Sequence, residues 1–285
     1  MLARNLILNS IMKQNFKPSF QIMVVSDLDG SFLDHSSYNF EAASPALNQL
    51  REMGVLPVFA SSKTASEIRK IQENIGLTAP FACENGAAFY VPSQRAPLKI
   101  FASKRLEWID AVREVREVLG AKFFGFSDWQ AEYLAEVTGL TAAEARRAQQ
   151  REFTEPILWQ DTPEKQRQFE GALRDLGLIT QEGGRFISIQ SRFDKGSSTK
   201  WWRSQHDPLR TCVIALGDSP NDEALLDAAD IAIVIESEKS NLLRPRTPCR
   251  VIRTVLSGPS GWNEGIQEAL RMIETGQLQI IVNDT

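Results

Sequence analysis

The first third of the chain alternates between two hydrophobic periods. Ile22 to Ser26 is a short, largely β-branched run of the kind buried on both faces of a sheet. Ser44-Pro45 then reads as an N-cap with proline at the first helical position. Leu47, Leu50 and Met53 follow at helical spacing until Gly54. A second apolar run, Val55–Ala60, ends at Ser61-Ser62-Lys63-Thr64. Thr64 and Glu67 form a capping-box pattern, with Ile68, Ile71 and Ile75 on one helical face and Gly76 as the stop. Phe81-Ala82-Cys83 leads into the turn Glu84-Asn85-Gly86. This strand–helix rhythm predicts parallel strands with helical crossovers, an α/β, doubly wound, Rossmann-like sheet.

Residues 91–190 break the rhythm, with more charge, more aromatic residues and more helix than strand. Trp108–Leu119 is amphipathic, and Thr141 with Glu144 forms a capping box ahead of a polar helix to Gln150. Ile157–Trp159 and Arg185–Ile189 read as strands around a helix at Pro163–Leu176. From Gly196 the parallel pattern resumes: a helix, the strand Cys212–Leu216, a helix at Glu223–Ala228 and the strand Ile231–Ile235. The expected division is an N-terminal extension (1–20), a core domain in two parts (21–90 and 191–285) and an inserted α+β cap domain (91–190). Met12 or Met23 can equally begin the fold, so the extension reads as dispensable.

Composition narrows the classes. With 285 residues, 42% hydrophobic and 24% charged, the chain can bury a sizeable core in one large or two ordinary domains. A net charge of −4 leaves no basic surplus for nucleic acid. Arg4, Asn5, Asn9 and Lys13 interrupt the opening segment too often for a signal core. No apolar run approaches the roughly 20 residues of a membrane helix. Cys83, Cys212 and Cys249 are widely spaced, which suits a reducing cytoplasm and small apolar roles. Monomer and homodimer both stay open.

The chemistry concentrates at strand ends. Asp27 and Asp29, in Val24-Val25-Ser26-Asp27-Leu28-Asp29-Gly30, follow the first strand, where ligand sites of open α/β sheets form. Two carboxylates spaced by one residue repel unless a cation or a proton offsets them. Taken alone, this is more simply a capped acidic turn. Gly217-Asp218-Ser219-Pro220-Asn221-Asp222 places a second carboxylate loop after a second buried strand. A doubly wound sheet brings such ends together, making Asp218 a third member of an all-oxygen cluster that favours Mg²⁺ over zinc. Ser61, also at a strand end, offers a hydroxyl and the following N–H of Ser62 to phosphate oxygens, although serine before a helix is common capping chemistry. Lys195, in Phe193-Asp194-Lys195-Gly196, can neutralise a phosphate, although a lone lysine is usually a solvated side chain.

In this order the four elements resemble the haloacid dehalogenase superfamily, and the position of the insert resembles its α/β-capped, Cof-like branch. The resemblance implies that Asp27 attacks phosphorus to form an aspartyl-phosphate and that Asp29 serves as acid and base. It further implies phosphoryl binding by Ser61, Ser62 and Lys195. Mg²⁺ would be held by Asp27, Asp218 and the Asp29 backbone carbonyl, while Asn221 and Asp222 orient Lys195 and the metal's waters. Arg151-Glu152-Phe153-Thr154-Glu155-Pro156 resembles the cap signature of the mannosyl-3-phosphoglycerate phosphatase family. Glu84-Asn85-Gly86-Ala87, Gly183-Gly184-Arg185-Phe186 and Gly258-Pro259-Ser260-Gly261-Trp262 look like further marks of it. Ser31 departs from the threonine that family often has there.

This likeness implies a phosphorylated-sugar substrate, mannosyl-3-phosphoglycerate, cleaved to mannosylglycerate and phosphate, with Asn85, Arg151 and Arg185 as substrate-binding candidates. Arginine suits bidentate carboxylate recognition. Alternatives are a phosphatase for glucosyl-3-phosphoglycerate or sucrose phosphate, and a phosphomannomutase-like isomerase. A receiver-type signalling domain shares the clustered aspartates but lacks an insert of this size. The connections near Tyr90–Ala96 and Ser188–Lys195 are the expected hinges for cap closure.

Overall fold

The structure is a computed structural model that describes residues 20–207, 210–248 and 250–277. The N-terminal extension up to residue 19 and Cys249 lie outside the described residues.

Eight strands form the core sheet. β1 (Gln21–Ser26), β2 (Val58–Ala60) and β3 (Phe81–Cys83) come from the first part, followed by β4 (Ala88–Tyr90) and β5 (Lys99–Ile100). Four cap strands come next in the chain: β6 (Phe123–Gly125), β7 (Thr154–Trp159), β8 (Leu178–Gly183) and β9 (Phe186–Ser191). β10 (Thr211–Gly217), β11 (Ile231–Glu236) and β12 (Arg250–Ser257) complete the core. The core order is β12-β11-β10-β1-β2-β3-β4-β5, parallel from β12 to β3 and antiparallel for the last two. β1 therefore lies between β2 and β10, and the chain leaves it to one side first and returns on the other. That reversal is the switch point at which such sheets form a crevice.

β1 carries apolar side chains on both faces, as its continuous run requires. Val24 packs with α1 (Ser44–Glu52), α2 (Ala65–Asn74) and the C-terminal helix, whereas Met23 and Val25 face the opposite layer. Pro57 precedes β2 and donates no hydrogen bond, so that strand begins at Val58 rather than Val55. Ser44 is the first residue of α1, not its cap: the cap position is Ala43, at the end of a short 3₁₀ turn, and no side chain bonds there. The Thr64–Glu67 capping box is formed in full.

The cap holds α3 (Ile109–Leu119), α4 (Ala131–Thr138), α5 (Ala142–Ala148) and α6 (Pro163–Asp175) around an antiparallel sheet ordered β6-β7-β9-β8. Its own core joins Ile109 and Val112 of α3 to Phe169 and Leu173 of α6. β4 and β5 extend the core sheet through Ile100, so residue 90 is not the end of the core's first part. Residues 91–98 are a hairpin loop, and the first connection to the cap lies beyond Phe101. There the Ser103 N–H donates to Ser191 Oγ at 3.1 Å, tying it to the returning connection. The core is completed by α7 (Lys195–Ser204), α8 (Glu223–Asp227) and α9 (Gly258–Glu274). Among the described residues, no helix is long and apolar enough to cross a membrane.

Candidate active site

The register of β1 against β10 pairs Ser26 with Leu216, and the Asp27 N–H donates to Leu216 O at 3.0 Å. Both acidic loops therefore leave the sheet side by side. Gly30 turns back with φ +77°, and a Cβ there would lie 2.6 Å from Asp218 Oδ2. Only glycine combines that backbone conformation with so close an approach.

Lys195, the first residue of α7, is 1% exposed, and its Nζ donates to Asp27 Oδ1 at 2.6 Å and Asp222 Oδ1 at 2.7 Å. Asp194 caps the helix by accepting from the Ser197 N–H. Asp222 Oδ2 accepts from the N–H groups of Asp218 (3.1 Å) and Ser219 (3.2 Å), so both of its oxygens have donors. One ammonium thus faces two buried carboxylates, with Asp218 and Asp29 nearby. Burial pushes the Asp27 carboxyl up; Lys195 pulls it down, but Asp222, Asp218 and Asp29 leave it well above the ordinary carboxylate range. Burial and Asp222 likewise push Asp218 up to about 7. For Lys195, burial works against the charge, but the two carboxylates outweigh it and raise the ammonium.

Asp29 points elsewhere. Its Oδ1 lies 3.1 Å from Lys63 Nζ, a lysine that also sits 4.8 Å over the Tyr38 ring. Burial disfavours the Lys63 charge, yet Asp29 and Glu67 hold it above its usual range. Ser61 is fully buried, its hydroxyl accepting from the Lys63 N–H at 3.2 Å, and its carbonyl accepts from the Asn85 N–H at 2.9 Å. Asn85 thereby joins the Ser61 loop. Its Nδ2 donates to Gln190 at 3.0 Å, while its buried Oδ1 has no partner.

The cap residues divide. Arg151 reaches the core, donating to Ser62 O at 3.1 Å and to Thr154 Oγ1 at 2.8 Å. Arg185 does not: its guanidinium donates to Val137 O and Thr138 O, the last carbonyls of α4, a helix-capping contact inside the cap. Of the expected substrate-binding arginines, Arg151 is therefore the one the structure brings to the Ser61–Ser62 loop. The Asn221 side chain accepts from Ser219 Oγ at 2.5 Å, so of the pair Asn221 and Asp222 it is Asp222 that holds Lys195, together with Asp27. A cleft of about 420 Å³ is lined by Gln181, Asp194, Asn221 and Asp227 among others, but not by the Asp27–Lys195 cluster.

Residues 24–119 match the family model described as haloacid dehalogenase-like hydrolase. A phosphatase of the haloalkanoate superfamily from Bacteroides thetaiotaomicron superposes with TM-score 0.63 at 15% identity, covering 91% of this chain and 97% of that one. The sucrose-phosphatase of Synechocystis, solved with sucrose and phosphate, gives 0.57 at 18%, covering 90% and 98%. A haloacid dehalogenase-like hydrolase from Bacillus subtilis gives 0.60 at 17%, covering 88% and 98%.

The fold is that of the haloacid dehalogenase-like hydrolases. Whether a metal fits this site is decided by its donors. Oxygens of Asp27, Asp218 and Asp222 lie within 4.8 Å of one another. Asp218 Oδ1 is buried without a hydrogen-bond partner, and one oxygen of Asp27 is not engaged by Lys195. An all-carboxylate set with an orphaned buried oxygen fits a hard divalent cation. Asp222 is the weakest of the three as a ligand, because Lys195 and two N–H groups already occupy it.

Two residues at this site carried no signal of their own in the sequence. Lys63 looked like part of a helix start, and its partner Asp29 is remote in the chain. Glu84 looked like part of a turn. Its carboxylate accepts from the N–H groups of Glu152 (2.9 Å), Phe153 (3.0 Å) and Thr154 (2.9 Å) and from Thr154 Oγ1 (2.8 Å). The signal available for it was the joint presence of the Glu84-Asn85-Gly86 turn and the Arg151–Pro156 segment.

Proposed function

We propose that the chain is a Mg²⁺-dependent phosphatase whose substrate is a glycosyl 3-phosphoglycerate, mannosyl-3-phosphoglycerate foremost, released as mannosylglycerate and phosphate. The observation that carries the reaction class is the buried Lys195 held at 2.6 Å from Asp27, with Asp218 beside it. Lys195 holds one Asp27 oxygen in place for attack on phosphorus and leaves the other to the cation. That attack forms the Asp27–phosphorus bond as the ester oxygen departs, and Asp29 supplies the departing oxygen's proton. Water then attacks the same phosphorus, Asp29 takes its proton, and Asp27 leaves as a carboxylate. Ser61, with the N–H groups that follow it, and Lys195 stabilise the equatorial phosphoryl oxygens. Lys63 holds the Asp29 carboxylate in the resting site. A phosphate dianion that draws the Lys63 charge to itself lets Asp29 take up a proton from solvent, and that is the proton it gives to the departing oxygen. Mg²⁺, held by Asp27 and Asp218, would supply charge neutralisation between the nucleophile and the dianion.

Proton and cation compete at Asp218. Its carboxyl in the metal-free protein sits near 7, above the ordinary 3.8, so the folded state holds the extra proton across that window. Metal-free stability therefore falls as pH rises through it, and a cation removes that loss. The expected result is a Mg²⁺-induced gain in melting temperature that is larger at about pH 8 than at about pH 5.5. Thermal unfolding with and without Mg²⁺ at both values checks this; an equal gain at both removes Asp218 from the cation site.

Substrate choice rests on Arg151, which leaves the cap to meet the Ser62 carbonyl. A guanidinium there suits the glycerate carboxylate. Arg151→Ala is expected to raise KM for the phosphoglycerate by about 10-fold or more, with a smaller rise for a generic aryl phosphate. Equal rises on both would take Arg151 out of substrate recognition. A phosphate-release screen across mannosyl- and glucosyl-3-phosphoglycerate and sucrose phosphate tests the assignment itself. The likeness to a sucrose-phosphatase favours sucrose phosphate as the second reading, and preferential hydrolysis of that ester would replace the first.

A further inference from the structure

Glu84 is a core residue whose carboxylate is filled entirely by the cap. It follows β3 on a turn in which Glu84, Asn85 and Gly86 all take positive φ, at +47°, +63° and +91°. Side chains at the first two positions disfavour that conformation, so the turn persists only because its surroundings over-determine it. The Glu84 N–H donates to Lys63 O at 2.8 Å and the Asn85 N–H to Ser61 O at 2.9 Å, which fastens the turn to the phosphate loop. A Cβ on Gly86 would lie 2.5 Å from Asp194 O, so the same turn also abuts the residue preceding Lys195.

From that anchored position the carboxylate, 1% exposed, takes four hydrogen bonds from three consecutive cap residues, 152 to 154. Successive N–H groups converging on one anion form a nest, here occupied by a side chain. Thr154 Oγ1 donates to Glu84 and accepts from Arg151 at 2.8 Å. A hydroxyl has one proton, so committing it to Glu84 turns the lone pairs toward the guanidinium. The order Glu84, Thr154, Arg151 is thus a fixed chain from core to cap, and Arg151 finishes it at the Ser62 carbonyl.

We propose that Glu84 is a positioning residue for substrate recognition: its carboxylate fixes the cap segment 151–154 on the phosphate loop and thereby sets the place of the Arg151 guanidinium. The proposal rests on the reading of Arg151 as the group that meets the carboxylate of a glycosyl phosphoglycerate. The bonds of the Glu84 carboxylate all go to residues 152–154 and none to Asp27, so it acts through Arg151 and not on the chemical step.

The test combines Glu84→Gln, Glu84→Asp, Arg151→Ala and the double variant Glu84→Gln/Arg151→Ala. The substrates are mannosyl-3-phosphoglycerate and an aryl phosphate, with kcat and KM measured separately. Glutamine keeps the shape but turns an N–H₂ group toward N–H donors. The ratio of kcat/KM for the phosphoglycerate to that for the aryl ester is expected to fall about 10-fold or more in Glu84→Gln, mostly through KM. Glu84→Asp keeps the charge with shorter reach and should recover part of the loss. The double variant should be no worse than Arg151→Ala, because the two act in series. Multiplying effects, or equal losses of kcat on both substrates, would overturn the proposal.

A second measurement does not depend on the substrate assignment. Amide hydrogen exchange at Glu152, Phe153 and Thr154 should accelerate in Glu84→Gln relative to β1 and β10, and unchanged exchange there would overturn the proposal as well. If the wild-type protein cleaves the aryl ester but neither glycosyl phosphoglycerate, the substrate reading fails while exchange still decides whether Glu84 pins the segment.

Discussion

Asp27→Asn is expected to lower phosphate release by about a thousand-fold or more for every phosphomonoester tested, since an amide oxygen cannot form the acyl phosphate. The substitution is nearly isosteric and lies at a buried strand end, so its effect on folding should be small by comparison. Asp27 is held well above the ordinary carboxylate range by burial and by its acidic neighbours. An uncharged amide therefore relieves part of a strain that the native carboxylate carries. Phosphate release and thermal unfolding measured on one preparation separate the two effects. Turnover retained within ten-fold in a folded Asp27→Asn protein would end the aspartyl-phosphate route.

Lys195→Met is expected to remove both activity and much of the stability. Its Nζ is the counter-ion of two carboxylates, and Asp222 is fully buried. Removing one partner of a buried ionic set costs about 3–5 kcal/mol, because the remaining charges have neither water nor a cation. The shift should appear as a lower urea midpoint with an unchanged slope. Adding Asp222→Asn to Lys195→Met should return a large part of that stability, since it deletes the stranded charge, yet restore no turnover. A midpoint for Lys195→Met equal to wild type would mean that the Asp27–Lys195–Asp222 cluster is solvated in the folded protein.

The parts of this site legible in the sequence are those set by a local pattern. An apolar run ending in a carboxylate identified Asp27 and Asp218 because sheet topology forces parallel strand ends together. The capping box at Thr64 was legible because both partners lie within one turn of helix. What was not legible depends on packing between distant segments. Glu84 meets partners 68 to 70 residues away, and no periodicity connects them. Arg185 was a reasonable anion-binding residue by type, but the β8–β9 hairpin carries it to the end of α4, where backbone carbonyls take it up. The strands β4 and β5 are three and two residues long, too short to show an alternation, so the sequence pattern ends the core's first part about ten residues before the sheet does.

Phe153 adds an apolar attachment of the cap to the core beside the polar ones. Its backbone belongs to the segment leading into β7, but its ring is 1% exposed among the core's side chains. Any opening that lifts this segment must bring the ring into water, which costs about 1.5–3 kcal/mol. That alone would hold such an open form below about a tenth of molecules. The four hydrogen bonds to Glu84 lower the figure further. Product leaving a closed site of this kind would wait on a rare excursion, and turnover would then be set by how often the ring lets go.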